Sequence, residues 1–121
     1  MLSRQIIAIA EDDPLLRRVL ADFVEEFGGA PQAFASCGEL YHSMKKRNGY
    51  TMVITDHQTP GKIQGLDLAQ LISVEWPGLP VLILSGQDLS KGGILPSNVQ
   101  CCHKPLQVIE LLDIVRSMLK G

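Results

Sequence analysis

The stretch Met52-Val53-Ile54-Thr55-Asp56-His57-Gln58-Thr59-Pro60-Gly61 decides the fold. A short apolar run ends in an acid and then a turn, the form in which open α/β sheets present chemistry at the carboxyl ends of their strands. The same form recurs along the chain. Ile6-Ile7-Ala8-Ile9-Ala10 runs into Glu11-Asp12-Asp13, Val81-Leu82-Ile83-Leu84 into Ser85, and the run from Val99 to His103 into Lys104-Pro105. If these strands are parallel neighbours, the acids, the hydroxyl and the lysine converge on one edge of the sheet.

Between the apolar runs lie longer amphipathic ones, which gives a βαβα order. The first strand is expected over residues 5–10. A helix follows from Pro14, a residue suited to a first turn, with Asp12 or Asp13 placed to cap it. Leu16, Val19, Leu20, Phe23, Val24 and Phe27 form its apolar face, and Gly28-Gly29 ends it. A weak second strand is expected at 32–35. Ser36 and Glu39 then form a capping box for a helix that buries Leu40, Tyr41 and Met44. That helix ends in Lys45-Lys46-Arg47, a solvated terminus favoured by the helix dipole.

Strand three is expected at 52–55, a helix at 66–75 with Leu68, Leu71 and Ile72 inward, and strand four at 81–84. Strand five is expected over Val99–His103, and a last helix at 106–119 with Ile109, Leu112, Val115 and Leu119 inward. Residues 87–98 hold Gly92, Gly93 and Pro96, so a fourth helix there is short or irregular. The whole predicts a flavodoxin-like, doubly wound, five-stranded parallel sheet, (βα)5, in one domain over residues 1–121.

The chain has 121 residues, 11 basic and 13 acidic, for a net charge of −2. That balance gives no reason to invoke nucleic acid or an anionic membrane. No apolar stretch approaches the ~20 residues of a membrane span. Cys37, Cys101 and Cys102 have no metal or redox spacing and read as small apolar fillers in a reducing, cytoplasmic setting.

Carboxylates crowded at one edge disfavour joint ionisation unless a cation sits among them. Asp12, Asp13 and Asp56 offer hard oxygen ligands of the kind Mg²⁺ prefers. Lys104 adds a fixed positive charge and Ser85 a hydroxyl, which together suit a phosphoryl group. Gly61-Lys62 is followed by Ile63 and lacks an upstream glycine, so there is no P-loop, and there is no Gly-x-Gly-x-x-Gly. Nucleotide binding is therefore not indicated. Asp56 stands alone on its strand end and suits the role of a carboxylate nucleophile.

The ordered set Asp12-Asp13, Asp56, Ser85 and Lys104-Pro105 resembles the receiver domain of two-component response regulators over essentially the whole chain. Asp56-x-x-x-Pro60-Gly61, followed by Gly65-Leu66-Asp67-Leu68-Ala69, resembles that family's loop into its third helix, most closely in receivers attached to hybrid sensor kinases. The resemblance implies a phosphorelay domain. Asp56 would accept phosphate from a phosphohistidine on a histidine kinase or histidine phosphotransfer protein. Asp12, Asp13, Asp56 and the backbone carbonyl of Gln58 would hold Mg²⁺. Lys104 would pair with the phosphoryl oxygens, and Ser85 would bond the group and report it.

The same resemblance implies a cytoplasmic module that acts only on its own phosphorylation and is not a separate enzyme. It implies no contact with nucleic acid or membrane by this domain, and allows a weak homodimer. The bond between the lysine and the following proline is often cis in the family, and Lys104-Pro105 would repeat it. Cys101 occupies the place where the family carries an aromatic switch residue, so a rotating ring cannot transmit the signal here. The alternative is a pseudo-receiver, an interaction module without phosphotransfer. A phosphohydrolase with an aspartate nucleophile ranks lower, because Gln58 stands where its general acid would be. His57 and His103 read as partly exposed neighbours of the site, and His42 as solvent-facing.

Overall fold

The computed structural model describes residues 2–47, 49–86, 95–104 and 107–120. Its elements, in chain order, are β1 (Ile6–Ala10), α1 (Pro14–Glu26), β2 (Ala30–Phe34), α2 (Cys37–Lys46), β3 (Met52–Asp56), α3 (Gly65–Glu75), β4 (Val81–Ser85), β5 (Val99–His103) and α4 (Val108–Leu119). The five strands form one parallel sheet in the order β2-β1-β3-β4-β5. This is the expected doubly wound sheet. The irregular fourth helix expected within 87–98 falls largely on residues 87–94, which lie outside the described residues, as does Pro105 with its peptide bond.

Side chains alternate across the sheet with the period of two that strands impose. Ile7, Ile9, Met52, Ile54, Leu82, Leu84 and Cys102 point to one face and are covered by Leu20, Phe23 and Val24 of α1 and by Leu111 and Val115 of α4. Ala8, Ala10, Val53, Val81, Ile83 and Val99 point to the other, under Cys37, Leu40 and Met44 of α2 and Leu68, Ala69 and Ile72 of α3. Both faces are covered, so β1, β3 and β4 read as unbroken apolar runs rather than alternating ones.

Several boundaries and faces depart from expectation. β2 starts two residues early, because pairing with β1 draws in Ala30 opposite Ile6 and Pro31 opposite Ile7. As an edge strand it has no burial on its outer side to mark it, and proline is tolerated there. Val19 is 52% exposed and Ile109 75% exposed. The inward faces of α1 and α4 are set by Leu20–Val24 and Leu111–Val115, one helical turn apart, which turns Val19 and Ile109 outward. Val19, Val108, Leu16 and Phe23 line an apolar groove between the two helices that reaches Lys104. Among the described residues no helix is long and apolar enough to cross a membrane.

Candidate functional site

The carboxyl ends of β1, β3, β4 and β5 bring the expected chemistry to one edge. Backbone bonds carry the sheet slightly past its strands: the His57 N–H donates to the Leu84 carbonyl at 2.9 Å, and the Lys104 N–H to the Ser85 carbonyl at 2.8 Å. Asp56, His57, Gln58, Ser85, Gly86 and Lys104 thereby line an open cleft of about 450 Å³. Lys104 Nζ lies 3.0 Å from Asp56 Oδ1 and 3.8 Å from Glu11 Oε1. Ser85 is buried and Gln58 is exposed.

The acidic cluster differs from expectation by one residue. Glu11, Asp12 and Asp56 each present a carboxylate oxygen within 4.8 Å of the others. Asp13 does not join them. Its Oδ1 accepts the N–H groups of Leu15 at 2.9 Å and Leu16 at 3.4 Å, so it caps α1. The alternation of the strands explains the substitution. Ile7, Ile9 and Glu11 continue one face of β1, and Met52, Ile54 and Asp56 continue the same face of β3. A carboxylate is delivered to that face by position 11, while position 13 has already turned into the helix.

Glu11 is an unusual residue. It is 2% exposed. Its Oε2 accepts the Asp13 N–H at 3.1 Å, but Oε1 is buried without a hydrogen-bond partner. Burial pushes its carboxyl above the ordinary range and the nearby Asp56 charge adds to this, while the Asp13 N–H and Lys104 pull it back. A desolvated, half-satisfied carboxylate beside a second anion has a strong demand for a cation. Three clustered carboxylates, buried Glu11 with its orphaned oxygen, half-buried Asp56 and exposed Asp12, fit a hard divalent ion with oxygen ligands.

The β3–α3 loop is held by contacts that the sequence reading did not anticipate. Thr59 is buried, and its Oγ1 accepts the Cys37 N–H at 2.9 Å. Cys37 Sγ lies 3.1 Å from Thr55 Oγ1, which donates to the Asp56 carbonyl at 2.9 Å. Gln64 bonds back to Thr59 and Gly61. Gly65 packs so closely that a Cβ there would lie 2.6 Å from the Asp56 carbonyl oxygen. Burial raises the Cys37 thiol above its ordinary value, so it acts as a packed, uncharged group. Cys101 is partly buried on the α2/α3 side of the sheet, opposite Ile83, and packs there as expected of a small apolar side chain. His42 and His103 are exposed, and His57 is half-buried at the cleft.

Residues 7–116 match the family model of the response regulator receiver domain. The curated DNA-binding transcriptional regulator NtrC of Bradyrhizobium sp. (strain RP501 Parasponia) is 30% identical over 112 residues, which is 90% of this chain but 23% of that protein. The chain thus spans about a quarter of the length of that relative. Among solved structures, a response regulator receiver protein from Sinorhizobium medicae WSM419 superposes with a TM-score of 0.88 at 19% identity, covering 100% of this chain and 98% of that one. The receiver domain of sensor histidine kinase PA1611 from Pseudomonas aeruginosa PAO1, solved with a magnesium ion coordinated in its active-site cleft, gives 0.83 at 18% identity, covering 98% and 100%. The chain belongs to the response regulator receiver family, the phosphoacceptor signalling domains of two-component systems.

Proposed function

We propose that Asp56 is the phosphoacceptor of a single receiver domain spanning residues 1–121, and that the donor is a phosphohistidine on a histidine kinase or histidine phosphotransfer protein. The observation that carries this reading is the 3.0 Å pair between Lys104 Nζ and Asp56 Oδ1 at the mouth of a cleft. An oxygen of the Asp56 carboxylate attacks phosphorus, an O–P bond forms, and the N–P bond of the donor breaks. The departing imidazole takes up a proton. Lys104 then pairs with the phosphoryl oxygens in place of the carboxylate, and the Ser85 hydroxyl donates to one of them.

Glu11, Asp12 and Asp56 would hold Mg²⁺, with the backbone carbonyl of Gln58 as a further ligand. The magnesium ion in the receiver of PA1611 and the orphaned Glu11 oxygen both support this. Bound there, the ion supplies positive charge against the oxygens of the transferring group. Asp13 would serve the site indirectly, by fixing the start of α1.

The module turns over no separate substrate; its chemistry is its own phosphorylation and hydrolysis. Gln58, exposed at the cleft, is placed to influence water attack on the acyl phosphate. The described cysteines are all free, which suits the reducing cytoplasm. The pseudo-receiver alternative is disfavoured by the intact lysine–aspartate pair and acidic cluster. The test is incubation with Mg²⁺ and acetyl phosphate, followed by intact mass. A labile phosphoryl adduct is expected on the wild type and not on Asp56→Asn. No adduct on the wild type with several small donors would favour the pseudo-receiver.

A further inference from the structure

We infer that Gln64 is a positioning residue for phosphoryl transfer, a role that rests on the phosphoacceptor reading of Asp56 and extends it. Gln64 stands at the start of α3, eight residues after the acceptor. Its side-chain amide is engaged through both its oxygen and its nitrogen by the loop it faces. Oε1 accepts the Thr59 N–H at 3.1 Å, and Nε2 donates to the carbonyls of Thr59 at 3.0 Å and Gly61 at 2.9 Å. The reverse orientation would set an N–H against an N–H and an oxygen against two carbonyls, so the network itself fixes the amide. The Gln64 backbone N–H in turn donates to Asp67 Oδ2 at 2.9 Å, which ties the clamp to the first turn of α3.

The loop therefore has two fixed ends. At its base the Gly65 N–H donates to the His57 carbonyl at 2.8 Å. At its crown Gln64 grips Thr59 on both sides of that residue, while the Thr59 hydroxyl is anchored to α2 through the Cys37 N–H. Gln58 lies between the two ends and lines the cleft. Together with His57 it is the part of the loop that faces the chemistry proposed for Asp56. With both neighbours held, Gln58 has little freedom to drift. Without Gln64, two carbonyls and one N–H lose their partners and turn to water, and the crown can move independently of the base. A misplacement of about 1 Å, remote from the reacting atoms, can lower a rate by up to about 100-fold.

The experiment compares wild type, Gln64→Ala and Gln64→Glu, each with Mg²⁺ and a range of acetyl phosphate concentrations, by intact mass. Thermal melting is measured in parallel. The saturating rate constant is expected to fall about ten-fold in both variants. The half-saturating donor concentration should stay within about two-fold, the pattern of an interaction that serves the transition state rather than donor binding. Should Gln64→Ala melt below the assay temperature, Gln64→Glu carries the test: it keeps an oxygen toward the Thr59 N–H and suits a helix N-terminus. A lowered melting temperature with an unchanged saturating rate would make Gln64 a structural cap and overturn the inference. No adduct on the wild type would overturn the phosphoacceptor reading and this one with it. An adduct on the wild type with unaltered rates in both variants would overturn this one alone.

Discussion

Two loops carry acids to the same edge of the sheet, and they are built in opposite ways. The β1–α1 loop is short. It places Glu11 almost out of solvent, leaves one carboxylate oxygen without a hydrogen-bond partner, and lets Asp13 cap the helix two residues later. Its position comes from the sheet itself: the Glu11 N–H donates to the Phe34 carbonyl at 3.0 Å, extending the β1–β2 ladder. The β3–α3 loop is longer and more open. Its carboxylate, Asp56, lines the cleft, and its shape is imposed by side chains, Thr59 and Gln64 above all. The first loop stores unsatisfied charge on a fixed backbone. The second keeps geometry on a backbone that would otherwise wander. The phosphoacceptor site proposed for Asp56 needs both, a demand for cations and a nucleophile that stays in place.

The largest expected effect separates the two loops through Gly65. Alanine is the better helix former by roughly 0.8–1 kcal/mol, so propensity alone would favour Gly65→Ala at the start of α3. Packing opposes it. The new Cβ would lie 2.6 Å from the Asp56 carbonyl oxygen and 3.0 Å from the His57 Cα, both backbone atoms that cannot swing aside. Overpacking costs roughly 1–3 kcal/mol, the contact at 2.6 Å with a fixed backbone oxygen puts this site at the upper end, and α3 must move off β3. A net loss of about 2 kcal/mol is expected, seen as a melting temperature lower by roughly 10 °C. A lower phosphorylation rate should accompany it. A Gly65→Ala protein as stable as wild type would mean that the β3–α3 loop is softer than described.

Thr59→Val comes next. It keeps the shape of the side chain and deletes the acceptor of the buried Cys37 N–H. An orphaned buried donor costs about 1–3 kcal/mol. Chemical denaturation should show a loss of about 1.5 kcal/mol, most of it restored in Thr59→Ser, which keeps the hydroxyl. Equal losses in Val and Ser would assign the effect to packing rather than to the hydrogen bond.

Glu11→Gln addresses the stored charge. Titration calorimetry with Mg²⁺ alone should show affinity reduced at least about ten-fold, or about 1.4 kcal/mol. Without metal the sign reverses: an amide is cheaper to bury than a carboxylate beside Asp56, so the variant should melt higher than wild type in chelator. A variant that melts lower in chelator would show that Lys104, 3.8 Å away, already satisfies Glu11.

Legibility in the sequence followed the same division. The apolar runs announced the sheet, since strands covered on both faces read as continuous hydrophobic segments. Asp56, Ser85 and Lys104 were legible because each directly ends or follows such a run. The clustered acids lie one position earlier than expected because Asp12-Asp13 looks like a pair, while Glu11 looks like the end of the strand. Two signals were available. Glu11 continues the alternation of Ile7 and Ile9, and Asp13 immediately precedes Pro14, a first-turn residue whose predecessor is normally the cap. The clamps were not legible at all. Thr59, Cys37 and Gln64 are common polar or small residues, and nothing local says that positions 37 and 59 meet; that contact exists only once α2 lies on the sheet.

The smallest expected effect is the sharpest test of the contrast. Arg17 Nη1 donates to the Glu11 carbonyl at 2.9 Å, so the first loop also has a side-chain latch from its following helix. If the two loops were alike, Arg17→Met, which keeps the apolar stem and removes the donor, would slow phosphorylation as strongly as Gln64→Ala. The difference in construction says otherwise. Glu11 is already fixed by the sheet ladder on one side and by the Asp13 N–H on the other. Losing one partly exposed hydrogen bond should cost about 1 kcal/mol of stability. The saturating rate should change by less than about two-fold. Rates that fall equally in the two variants would mean that the sheet does not hold the β1–α1 loop by itself, and that both acids depend on side chains reaching back from their helices.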